Sequence, residues 1–121
     1  MEPTSSTAQR GARDCVCPRF HAAVELVGRR WAGAILWTLS ERGPHYFAEL
    51  SLSVPDISDR LLSQRLRELE AEGLIERTVE HENGSRPRVS YSLTDKGRAL
   101  RPALEELQAW ASEWQRAGAR T

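Results

Sequence analysis

Two thiols stand one residue apart, Cys15 and Cys17, with Arg13 and Arg19 around them and His21 close behind. A cysteine reacts as its thiolate, and that form is favoured beside positive charge and at the start of a helix, where the dipole is positive. Cys17 sits just before a helix start and next to Arg19, so it is the candidate for reversible oxidation or attack on an electrophile. Cys15 is the lesser candidate, in a segment expected to be loose. The competing reading of Cys17 is a partly buried structural thiol. A disulfide between the two would be strained and would staple nothing, so the pair is no secreted framework. Cys15, Cys17 and His21 offer two sulfurs and an imidazole, but structural zinc takes four ligands with wider cysteine spacing, and nothing brings His45 or His81 to join them. Neither a metal nor another cofactor is expected.

The second set of chemically capable residues lies on the segment Ser58 to Glu72. At about 100° per residue, Arg60, Ser63, Gln64 and Arg67 gather on one face and Leu62, Leu66 and Leu69 on the other. Arg can bond guanine or phosphate and Gln can pair with adenine. This outward face reads as free of carboxylates, because Glu68, Glu70 and Glu72 fall in the last turns. Arg65 is counted with these DNA contacts. Arg86 and Arg88, on either side of Pro87 in a turn between two extended runs, suit contact with phosphates or the minor groove. The plainer reading is a solvated face carrying Arg–Glu pairs. No glycine-rich phosphate loop, metal-binding His pair or nucleophile with a base is present, which argues against an enzyme.

These side chains need a scaffold, and 121 residues supply one domain's worth of core. Acidic and basic residues balance at 17 each, so any basic surface comes from how the charges are sorted. Sixteen of the basic residues are Arg and only Lys96 is Lys. No apolar run approaches the roughly 20 residues that span a bilayer, and the N-terminus lacks a signal-peptide stretch, so a cytoplasmic protein without a membrane partner is expected.

Residues 1–14 are small and polar and read as a disordered arm. A first helix is expected from Pro18 to Gly28. A second, from near Arg30 to Arg42-Gly43-Pro44, carries Trp31, Ala34, Ile35 and Leu39 as its inward stripe, with Trp31 and Trp37 at the centre of the core. After an extended His45-Tyr46, a two-turn helix Phe47 to Ser53 turns Phe47, Leu50 and Val54 inward. A tight turn at Pro55-Asp56-Ile57 leads to the helix capped by Ser58 and stopped by Gly73. Leu74 to Glu82 and Arg88 to Leu93 form a hairpin around Asn83-Gly84. Thr94 caps a last long helix, residues 94–116, which Pro102 bends near its start, and residues 117–121 form a tail. The fold class is α+β, mainly α: a winged helix-turn-helix over residues 15–116. It has a two-stranded β-hairpin wing, residues 74–93, and helices at both ends for dimerisation. In this plan the helix after the turn, residues 58–72, enters the major groove.

Cys17-Pro18, Val27-Gly28-Arg29-Arg30-Trp31, Phe47-Ala48-Glu49-Leu50 and Ile57-Ser58 form ordered blocks. They continue through Leu62-Ser63-Gln64-Arg65-Leu66-Arg67-Glu68-Leu69-Glu70, Gly73-Leu74-Ile75-Glu76-Arg77 and Tyr91-Ser92-Leu93-Thr94-Asp95-Lys96-Gly97. In these blocks the chain resembles the HxlR-type branch of MarR-like winged helix regulators. The resemblance implies a homodimer on a two-fold symmetric double-stranded DNA operator, with the first and last helices as the interface. It also places Cys17 where several family members resemble thiol redox or electrophile sensors, so that oxidation, through an intersubunit or mixed disulfide, would alter subunit geometry. One departure is Arg29-Arg30, where the family more often has a small residue and Lys.

The expected interface is Phe20, Val24, Leu107, Trp110 and Trp114. Trp110 and Trp114, one turn apart, exceed what so small a core covers, and exposed tryptophans mark interfaces; the alternative packs both on the first helix of the same subunit. Other functional readings are a small-molecule inducer in a pocket lined by Trp31, Trp37, Tyr46 or Trp110, and a protein-interaction module without DNA binding.

Overall fold

Leucine spacing explains where the helices lie, and capping explains where they stop. The computed structural model describes residues 17–81, 84 and 86–115. The expected arm, Cys15, Asn83 and Ser85 of the hairpin turn, and the tail lie outside the described residues. The chain divides into two units, Met1–Arg30 and Trp31–Thr121.

In the first unit α1 spans Pro18–Val27 and ends at Gly28. Pro18 opens it because a first-turn residue needs no N–H for the helix. None of its residues is buried, and Phe20 and Val24 are exposed.

The second unit runs α2 (Ala32–Arg42), β1 (His45–Tyr46), α3 (Phe47–Ser53), α4 (Asp59–Ala71), β2 (Ile75–Glu80), β3 (Arg88–Leu93), α5 (Asp95–Arg98) and α6 (Arg101–Trp114). It is a mainly helical α+β winged helix. Its core is aliphatic: Ala32, Ile35, Leu36 and Leu39 of α2 meet Leu50 and Val54 around α3, Leu62, Leu66 and Leu69 of α4, and Leu74, Ile75 and Leu93 of the sheet. Trp31 and Trp37 are only half-buried, and Ala34 is exposed where the expected stripe had it inside. Leu36 takes that place. Trp31 stands ahead of α2 at φ 73°, a left-handed backbone that points its indole off the helical stripe.

The sheet has three antiparallel strands in the order β1-β3-β2, not the two of a bare hairpin. β2 pairs with β3 from Ile75↔Leu93 to Glu80↔Arg88, as the wing requires. The free edge of β3 then takes up His45 opposite Tyr91 and Tyr46 opposite Ser90, which satisfies backbone groups that an open edge would expose.

The last helix is two helices. Pro102 offers no N–H and its ring crowds the carbonyl four residues back, so the chain leaves helix after Arg98 and restarts at Arg101 with Pro102 in the first turn. A break replaces the expected bend. No described helix is long and apolar enough to cross a membrane.

Candidate nucleic-acid interface

The helix α4 is bounded at both ends by its own sequence. Ser58 Oγ accepts from the Leu61 N–H at 3.1 Å, and Asp59 adds negative charge at the positive pole. Ser51 Oγ of α3 donates to Asp59 Oδ1 at 3.1 Å, tying the two helices across a turn in which Asp56 adopts φ 73°. A short polar Asp tolerates that conformation. At the other end Gly73 at φ 80° lets the Leu74 N–H reach the Leu69 carbonyl (3.0 Å) and its own N–H reach that of Glu70 (2.9 Å).

Between those caps Leu62, Leu66 and Leu69 are buried, and such burial contributes roughly 1.5–3 kcal/mol each. Arg60, Gln64 and Arg67 stand exposed on the far side, and Ser63 is half-buried beside them. The face is not free of carboxylate. Glu68 reaches back one turn, accepting from Gln64 Nε2 at 3.2 Å and from Arg65 Nη1 at 3.1 Å. Arg65 departs further from the expected set: its side chain is only 15% exposed, and it lies closer in helical phase to Leu69 than to Arg60. That phase was legible in the spacing, since residue 65 falls about 140° from residue 60.

The wing places its two arginines differently. Arg86 is exposed beyond the start of β3. Arg88, the first residue of β3, lies with its guanidinium carbon 3.6 Å from the centre of the Tyr46 ring. The Tyr46 hydroxyl donates to Glu80 Oε1 at 2.7 Å, and Ser90 Oγ donates to Glu80 Oε2 at 3.4 Å. β1 thus anchors the base of the wing through one tyrosine, a role that two residues of sequence did not announce. Tyr46 also begins α3, its N–H bonded to Glu49 Oε1 at 2.8 Å.

In the first unit, Cys17 occupies the position preceding α1 as an exposed free thiol. His21 pairs along the helix with Glu25 (Nε2 to Oε2, 3.5 Å) instead of pointing to a metal set, and His45 is buried with Nδ1 2.7 Å from the Gly43 carbonyl oxygen. On α6, Leu104 turns into the core while Leu107, Trp110 and Trp114 lie exposed, the tryptophans at 52% and 68%. The aromatics expected to line one pocket have separate surroundings: Trp37 borders a cleft with Thr38, Glu41, Arg42 and Ser53, Tyr46 serves the wing, and Trp110 faces outward.

A family model described as HxlR-like helix-turn-helix matches residues 26–119. The chain is 46% identical over 99 residues to YvaP, an uncharacterized HTH-type transcriptional regulator of Bacillus subtilis (strain 168), across 82% of this chain and 89% of that one. It is 40% identical over 99 residues to the HTH-type transcriptional regulator YodB of the same organism, across 82% and 86%. The fold is similar to the reduced form of YodB from B. subtilis, with a TM-score of 0.73 at 39% identity over 87% of this chain and 100% of that one. The quinone-bound and diamide-treated forms of YodB match at TM-scores of 0.70 and 0.67. The redox regulator HypR in its oxidized form matches at 0.74 and 33% identity, over 83% of this chain and 99% of that one.

Proposed function

The chain belongs to the HxlR-like helix-turn-helix family, and on that premise we propose that it is a homodimeric repressor released from its operator when Cys17 reacts. It is a DNA-binding transcription regulator. The observation that carries the groove assignment is the exposure of Arg60, Gln64 and Arg67 on α4 directly opposite three buried leucines. In this reading Arg60 and Arg67 bond guanine or phosphate, Gln64 exchanges Glu68 for an adenine edge, and Ser63 assists. Arg86 follows the phosphates from the wing, with Arg88 braced behind it. Arg65 serves the fold instead.

Phe20, Val24, Leu107, Trp110 and Trp114 are large apolar side chains exposed in the single chain, as interface residues are before a partner covers them. A two-fold axis through such an interface sets two α4 helices about 34 Å apart, one turn of DNA.

Cys17 is the reactive centre because its thiol is exposed and free, and because the similar regulator YodB has a quinone-bound form. With a quinone, the sulfur attacks a ring carbon, one C–S bond forms, and the thiol proton ends on a ring oxygen as the quinone becomes a hydroquinone thioether. Cys15 supplies the second thiol for oxidation.

The test uses duplex selected from random DNA by the wild-type dimer. Affinity falling steeply with salt supports a DNA-bound regulator, and release by benzoquinone in wild type but not in Cys17→Ser supports the sensor. Equal release from both proteins refutes the assignment to Cys17. A monomer by sedimentation refutes the dimer.

A further inference from the structure

Arg101, the first residue of α6, reaches 61 positions back in sequence to the end of α2. Its Nη1 donates to the Ser40 carbonyl oxygen and to Ser40 Oγ, both at 2.7 Å, and its Nη2 to Glu41 Oε2 at 2.6 Å. Its Nε donates to Glu105 Oε2 at 2.9 Å, one turn along α6. The guanidinium carbon lies 5.9 Å from the centre of the Trp37 ring. The Ser40 carbonyl belongs to the last turn of α2, where the helix leaves acceptors unsatisfied. A planar fork of donors in fixed directions meets four acceptors on two helices, an arrangement a lysine ammonium does not reproduce. The hydrogen bond from Glu41 first, with Glu105 behind it, raises the pKa of this guanidinium against a small opposing effect of burial, so it stays charged.

The position matters because of what surrounds it. The helix break after Arg98 separates α6 from α5, so α6 inherits no direction from the preceding helix. Leu104 attaches α6 to the core, but apolar burial is non-directional and leaves the angle loosely defined. Hydrogen bonds to a guanidinium are directional. The same α6 carries Leu107, Trp110 and Trp114 outward.

We propose that Arg101 is a positioning residue that fixes the direction of α6 relative to the DNA-reading unit. It thereby sets the separation of the two α4 helices in the dimer, selecting operators by half-site spacing without touching DNA. This rests on the dimeric reading above. Swinging α6 by a few degrees about its first residue displaces the partner's reading head far more than it displaces the buried Leu104, so a local polar clasp governs a distant spacing.

The experiment uses full-length wild type, Arg101→Ala and Arg101→Lys. The half-site selected from random duplex DNA by wild type is placed in pairs whose separation is stepped one base pair at a time. Wild type is expected to prefer one spacing over its neighbours by about tenfold, and Arg101→Ala to lose most of that preference while remaining a dimer and binding an isolated half-site as wild type does. Arg101→Lys, which keeps the charge without the fork, falls between them. Should Arg101→Ala not fold by circular dichroism, Arg101→Gln is judged by the same spacing series. A dimeric variant that keeps the wild-type spacing preference overturns the role of Arg101 alone. A wild-type chain that sediments as a monomer overturns the dimeric reading and this inference with it.

Discussion

Lys96 Nζ donates to the backbone carbonyl of Glu72 at 2.7 Å, so the only lysine of the chain closes the C-terminal end of α4 from 24 positions away. Beside it Thr94 Oγ1 donates to the Gly73 carbonyl at 2.6 Å while accepting from the Gly97 N–H at 3.1 Å. One turn of chain therefore starts α5 and finishes α4, and a cation stands where the helix dipole is negative. Replacing Lys96 with Met keeps the stem and removes the donors. The expected cost is about 0.5–1 kcal/mol, read as a lower urea midpoint at unchanged slope. An unchanged midpoint would show that water replaces the ammonium at no cost.

Gly97 permits that clasp by having no side chain. A Cβ built there would lie 2.1 Å from the Leu74 carbonyl oxygen and 3.1 Å from Leu93 Cδ2, so backbone would have to move. Gly97→Ala is expected to destabilise the fold by about 2–3 kcal/mol, more than a surface substitution does. Thermal unfolding decides it, and a melting temperature equal to wild type would contradict the close approach.

On α4, Gln64→Ala and Arg67→Ala are expected to weaken operator binding by about 1–3 kcal/mol each, with thermal stability close to wild type, because neither packs on the leucines. Arg65→Ala should do the opposite, lowering stability through its lost pairing with Glu68 while leaving base preference intact. Fluorescence anisotropy on operators carrying single base changes separates the two behaviours. Base preference altered by Arg65→Ala and by neither of the others would reverse the two roles.

Tyr46→Phe keeps the ring beneath Arg88 and removes the hydroxyl that Glu80 accepts. A loss of about 1 kcal/mol in stability is expected with little change in DNA affinity. Tyr46→Ala also removes the platform for Arg88, and should reduce affinity for any duplex regardless of sequence, since wing contacts with phosphate carry no base information. If Tyr46→Ala binds nonspecific duplex as wild type does, the brace does not serve the wing.

Much of the reading helix was legible because its determinants are local. Ser58 caps it, Gly73 stops it, and three leucines at helical spacing say which side faces inward, all within fifteen positions or so of one another. The family resemblance rests on the same local blocks, and the matched residues 26–119 take them in from Val27-Gly28 onward. The same periodicity would have set Arg65 apart from Arg60 had its phase been weighed beside its charge.

What the tertiary structure alone decided depends on partners far away in sequence. His45 and Tyr46 are too few to show a strand period, and they become a strand because β3 offers an edge. Trp31 and Trp37 are the largest apolar side chains of their segment, yet the inward positions go to Ile35, Leu36 and Leu39, because packing selects for shape and phase and not for size. The clasps of Lys96 on Glu72 and of Arg101 on Ser40 and Glu41 leave no trace in spacing or composition. A hydrogen bond has only the reach of its two atoms, and chain folding, not sequence order, brings those atoms together.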